Sequence, residues 1–102
     1  MEGNPAVTTT PEGKKITLTR DDWLHVQFRH PEVGTDPSML LDAVSRPDEL
    51  HVDESSGFHA LKRVDRTHFL VVIYKLEGAD RGLIKTAFIN NEKRKNRRYR
   101  KS

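Results

Sequence analysis

Phe69-Leu70-Val71-Val72-Ile73-Tyr74-Lys75-Leu76 decides how this chain folds. It holds the longest apolar run of the sequence, far below the roughly 18 residues of a membrane span, and so reads as a strand covered on both faces at the centre of a sheet. Around it the apolar residues fall at period two. Leu50 and Val52 come first, then Phe58, Ala60 and Val64, and residues 83–89 follow the run. The separators, residues 55–57, 65–67 and 78–82, are short and rich in turn formers, and connectors that short join antiparallel neighbours. Four strands in a meander are expected.

Upstream, the signals are helical. Thr19 with Asp22 three residues on resembles a capping box with Asp in place of Glu, and predicts a helix over residues 20–30 that Pro31 ends. Asp36 as N-cap with Pro37 in the first turn opens a second helix, in which Met39, Leu40, Ala43 and Val44 recur at helical spacing until Pro47. Residues 15–19, where Ile16 and Leu18 alternate with polar neighbours, read as an extra N-terminal edge strand. The expected class is therefore α+β, two N-terminal helices packed on one face of a four-stranded antiparallel meander sheet, with the other face open. Residues 1–14, rich in Thr, Pro and Gly, read as a disordered segment, residues 15–91 as a single domain and residues 92–102 as a basic tail.

With 102 residues, 34% hydrophobic, the chain has material for one modest core. It has no cysteine, which excludes disulfides, thiolate metal sites and cysteine nucleophiles. Residues 1–13 lack the basic and apolar regions of a secretory signal, and the cytoplasm is the default compartment. The formal net charge of +3 is unevenly placed. Residues 92–102 carry seven bases (Lys93, Arg94, Lys95, Arg97, Arg98, Arg100 and Lys101) against one acid, leaving 11 bases and 14 acids, a net −3, in residues 1–91. Such a run is either a solvated extension or a phosphate-binding one.

The sequence lacks HExxH, a phosphate-binding glycine loop, GxSxG and a dinucleotide fingerprint, and no metal or cofactor is expected. His51, His59 and His68 fall on successive strands without close carboxylate spacing, where a solvated strand face accounts for them. On the first helix, at about 100° per residue, His30 points to the side of Trp23 and Val26, while His25 faces away; the two lie about 140° apart. His30 is thus a structural residue or a general acid or base at the rim of the layer. Lys62 and Arg63 end one strand, and Lys85 and Thr86 sit in the middle of the last, where the lysines either keep an open face soluble or form a positive platform for a polyanion.

The segments Trp23-x-x-Val26-x-x-x-His30-Pro31-Glu32, Pro47-Asp48-Glu49-Leu50, Leu70-Val71-Val72-Ile73 and Leu83-Ile84-Lys85-Thr86-Ala87-Phe88 resemble the phage-borne branch of the barnase, EndoU, colicin and RelE-like nuclease superfamily. The resemblance covers residues 15–90. It implies a small metal-independent ribonuclease, a toxin or mobile-element effector, cleaving RNA by attack of the 2′-hydroxyl on the phosphodiester. Carried over, His30 moves protons with His25 as the lesser candidate, Lys62 or Arg63 holds the phosphate, and Thr86 bonds it or orients the ribose. Lys85 and the basic tail contact RNA, free or on a ribosome, and an antitoxin or immunity protein is an implied partner. Val26 replaces the branch's usual Ile, and no Glu occupies an obvious general-base position on the sheet. The alternative is a non-catalytic RNA- or ribosome-binding module of the same fold, and a third reading is a protein-interaction domain whose tail serves solubility.

Overall fold

A computed structural model describes residues 6–99. In chain order these form β1 (Ala6–Thr9), β2 (Lys15–Leu18), α1 (Arg20–Arg29), a 3-10 turn (Pro31–Val33), α2 (Ser38–Ser45), β3 (Glu49–Val52), β4 (Phe58–Arg63), β5 (His68–Leu76), β6 (Arg81–Asn91) and α3 (Glu92–Arg98). All six strands share one sheet in the order β1-β2-β6-β5-β4-β3. The class is α+β, but the expected architecture of two helices on a four-stranded antiparallel meander is wrong. The sheet has six strands and is mixed, with β2 parallel to β6 through Lys15↔Arg81, Ile16↔Gly82 and Thr17↔Leu83, and there is a third helix.

Each difference has a local cause. Residues 1–14 read as disordered on composition, yet Ala6–Thr9 carries Val and Thr, which suit a pleated strand, and pairs with β2 from Ala6↔Leu18 to Thr9↔Lys15. The reversal between them is closed by the Gly13 amide on the Thr10 carbonyl at 2.9 Å, with Gly13 at φ +90°, a conformation that side chains resist. The Thr8 hydroxyl ties β1 to α2 by donating to the Leu41 carbonyl at 3.0 Å. Short connectors dictate antiparallel pairing only within the meander; β2 and β6 are separated by both helices and three strands, and that long crossover returns the chain parallel. The part of the disordered reading that falls on residues 1–5 lies outside the described residues.

The helix signals place α1 and α2. The Thr19 hydroxyl accepts from the Asp22 amide at 3.1 Å and donates to its carboxylate at 2.9 Å. Asp36 accepts from the Ser38 amide at 3.0 Å. Trp23 and Val26 of α1, with Leu40, Ala43 and Val44 of α2, are buried against Ile16, Leu18, Leu70, Val72, Tyr74, Ile84 and Ala87 of the sheet. The alternate residues of β5, Phe69, Val71 and Ile73, join Leu61, Phe88 and Tyr99 in a second cluster on the other face. That two-sided covering explains the near-continuous apolar run of β5.

α3 stands over this second face, which the sequence reading left open. Asn91 caps it, accepting from the Arg94 amide at 2.8 Å. Lys95 pairs with Glu49, and Arg63 reaches Glu92 at 3.0 Å. Among the described residues no helix is long and apolar enough to cross a membrane.

Candidate nucleic-acid interface

A bulge on β6 creates the site. Ile73 pairs with Thr86 but Tyr74 pairs with Ile84, so Lys85 is the extra residue. Ile84 and Ala87, three apart, therefore both enter the helix-side core, and Thr86, Phe88 and Asn90 turn to the α3 face. Lys85 itself is exposed.

β2 covers β6 only as far as Leu83, and beyond it the Pro31–Val33 turn packs on β6. This carries His30 to the α3 face. His30 ends α1, its amide bonded to the Val26 carbonyl at 2.7 Å with φ −136° and ψ 66°, and its ring lies 5.7 Å from that of Phe88. The helical-wheel expectation that His30 points inward with Trp23 fails because Pro31 draws it out of the helix. Its Nδ1 stands 3.3 Å from Oε2 of Glu32, both side chains being partly exposed. A carboxylate, that of the residue after Pro31, thus stands beside His30.

His30, Glu32, Thr86, Phe88, Asn90, Arg94 and Arg98 line one open cavity of about 490 Å³. The Arg98 guanidinium lies over Phe88 at 5.1 Å and over Tyr99 at 5.6 Å. It also borders a second cavity of about 350 Å³, lined by His51, Val52, Asp53, His59 and Tyr99. There His59, 5% exposed, is held at 2.8 Å by Asp53 Oδ2 on Nε2 and at 2.8 Å by the Tyr99 hydroxyl on Nδ1. The His59 hydrogen bond, then the Gly57 and Ser55 amides, hold the Asp53 carboxyl down to about 2 against the opposing effect of burial. With Asp53 ionised, its carboxylate accepts from the His59 Nε2–H. Burial pushes the Tyr99 phenol up, so it remains a donor. Glu49 is also stabilised as a carboxylate: burial pushes it up, but hydrogen bonds and charges from Lys95 and His51 outweigh this and lower it. His51 Nε2 contacts Glu49 at 3.0 Å, and its ring lies 4.7 Å from Tyr99.

Of the residues singled out from sequence, His30, Thr86, Arg94 and Arg98 come together. His25 is exposed on α1 and lines neither cavity. Lys62 is on the opposite face: it pairs with Leu70 of the helix-side core, and its ammonium donates to the Arg46 carbonyl at 2.7 Å beside α2. Arg63 is on the α3 face but occupied, stacked on Phe69 at 4.4 Å and bonded to Glu92. Lys95 is engaged by Glu49, while Lys93 and Arg97 are exposed on α3. Arg100 and Lys101 lie outside the described residues.

Sequence reasoning missed Glu32 and Asp53 as site residues and placed His51 and His59 on a solvated strand face. A signal existed for the two histidines, since they stand symmetrically about position 55 and a tight hairpin makes them register partners, as His51↔His59 proves to be. Instead of a solvated strand face, His59 has a buried polar network. Among the described residues no three His, Asp or Glu side chains are grouped to hold a metal. Compared with known proteins, the chain matches no family model, no curated protein and no solved structure.

Proposed function

We propose that this protein is a ribonuclease working through its own side chains, with His30 as the proton-transfer residue and Arg94 and Arg98 as the phosphate seat. One observation carries this reading: His30 with its Glu32 partner, Thr86 and two arginines, drawn from a helix end, a strand and a second helix, face the same cavity. These are the groups that RNA transesterification requires. Oriented by Glu32, His30 takes the proton from the ribose 2′-hydroxyl. That oxygen bonds to phosphorus while the bond to the 5′-oxygen breaks, and the departing oxygen takes a proton from solvent in this open site. Arg94 and Arg98 meet the charge growing on the non-bridging oxygens, and Thr86 and Asn90 hydrogen-bond to the phosphate or ribose. The resemblance noted above supports the same reading and extends it to a toxin or effector acting in the cytoplasm, whose inhibitor would have to cover Arg94 and Arg98.

The test is incubation of the protein with mixed cellular RNA in EDTA, followed by a denaturing gel and end-group analysis. Products ending in 2′,3′-cyclic phosphate are expected, with His30→Ala slowing their release about 10²–10⁴-fold. RNA that is shifted on a native gel but stays intact would replace the enzyme by a binding module of the same fold, and RNA neither cut nor shifted would remove both.

A further inference from the structure

The cavity on the other side of Arg98 is unused by the chemistry above. Its walls are unlike those of the first: two rings, His51 and Tyr99, lie 4.7 Å apart and 30° from parallel, and a third, His59, meets Tyr99 edge-on at 5.5 Å and 72°. The arrangement is fixed before any ligand arrives. Tyr99 is held through its hydroxyl by His59, His59 by Asp53, and Asp53 by the Ser55 and Gly57 amides at 2.8 and 2.9 Å. His51 is held by Glu49, which Lys95 holds in turn. A stacking surface so anchored loses little conformational freedom when a flat ligand lies on it.

Arg98 ties this surface to the first cavity, because it borders both and its guanidinium lies over the Phe88 and Tyr99 rings. A phosphate at Arg98 therefore has the proton-transfer groups on one side and aromatic walls on the other. We propose that the cavity bounded by His51, His59 and Tyr99 is a nucleobase subsite, receiving the base of a nucleotide whose phosphate lies at Arg98. The ligand class follows from the lining. Aromatic faces take a planar ring by stacking, the guanidinium takes the attached phosphate, and the partly exposed Asp53 carboxylate offers an acceptor to a base N–H. The volume, about 350 Å³, is in the range of small-molecule sites. The subsite rests on the ribonuclease reading for its place in a reaction, but its binding is measured without turnover.

The full chain in EDTA is titrated with the 5′-monophosphates of adenosine, guanosine, cytidine and uridine, and with ribose 5-phosphate, followed by NMR of the ring protons. Nucleotides are expected to shift the His51, His59 and Tyr99 rings and to bind about tenfold tighter than ribose 5-phosphate, the size of one base stack. In His51→Ala, checked for an unchanged amide spectrum elsewhere, that advantage should vanish. Equal binding of nucleotides and ribose 5-phosphate by the wild-type protein overturns the proposal, as do shifts confined to the His30 and Phe88 rings. Base-dependent shifts from a protein that leaves RNA intact would uphold the subsite and remove the ribonuclease; RNA cleavage without base-dependent shifts would do the reverse.

Discussion

Asp53 illustrates how one exposed side chain can organise a site. One of its oxygens closes the β3–β4 reversal by accepting from the Ser55 and Gly57 amides, and the other receives His59. The carboxyl is held down to about 2 from an ordinary 3.8, chiefly by His59. A folded-state value below the unfolded one means that the ionised carboxylate favours the fold. That contribution is complete above pH 3.8 and is lost as pH falls through about 2, below which both states are protonated. Asp53→Asn keeps the acceptor for the two amides but presents an amide N–H to His59 Nε2. The Nε2–H of His59 then faces an N–H instead of a carboxylate oxygen. The urea midpoint of the wild-type protein should therefore exceed that of Asp53→Asn at pH 5, and the difference should shrink between pH 4 and 2. A difference independent of pH over that window would mean that the charge on Asp53 contributes nothing.

Elements are positioned here by two backbone irregularities of β6. At Gly82 a Cβ would strike the Lys75 carbonyl oxygen and the Leu76 Cα of β5, so glycine is required by close approach of the strands. Gly82→Ala should cost about 1–3 kcal/mol, as overpacking does, read as a fall in Tm of roughly 4–8 °C per kcal/mol at this chain length. Gly78→Ala is the contrast, because a Cβ there meets nothing nearer than the flexible Arg81 side chain at 3.8 Å, and its Tm should stay close to wild type. Three residues later the Lys85 bulge sends Thr86 to the α3 face. A strict period-two reading of residues 83–89 finds the strand but cannot register a one-residue insertion, because Leu83-Ile84-Lys85-Thr86-Ala87 is compatible with either face being buried. The helices and the meander were legible for the opposite reason: Thr19 and Asp36 act through side-chain bonds to amides two or three residues on, Pro31 and Pro47 through their own backbones, and the separators through their length. The parallel pairing was not, since it depends on which distant strand has a vacant edge, and β1 was not, since the Thr, Pro and Gly around it mask a hairpin to β2. The tail escaped as a helix because its stability is tertiary, resting on Glu49, Arg63 and the Asn91 cap rather than on the propensity of residues 92–98.

Over the whole molecule the five bases of α3, most of the charge excess of the chain's C-terminal run, are delivered to one face of a chain whose residues 1–91 are net acidic. Composition alone could assign that excess to phosphate or to solvent, and the folded helix divides it. Arg94 and Arg98 border the His30 cavity, Lys95 is neutralised by Glu49, and Lys93 and Arg97 are exposed without lining it. His30 and Thr86, singled out from their chemistry, meet at one cavity, whereas Lys62 lies on the other face, because its neighbours' alternation, Leu61 to one face and Ala60 to the other, fixes its side only once the core is known. The division within α3 has a measurable consequence, since each phosphate held by a cation releases condensed counterions and adds about 0.7 to the slope of log K against log salt for a single strand. Replacing Arg94 and Arg98 together by Gln should lower the slope for single-stranded RNA by about 1.4, with affinity falling most at low salt. Replacing Lys93 and Arg97 by Gln removes the same formal charge and should change the slope by less than half as much. Equal losses from the two pairs would show that the helix acts on RNA only as an undivided positive charge, with no phosphate seated in the cavity.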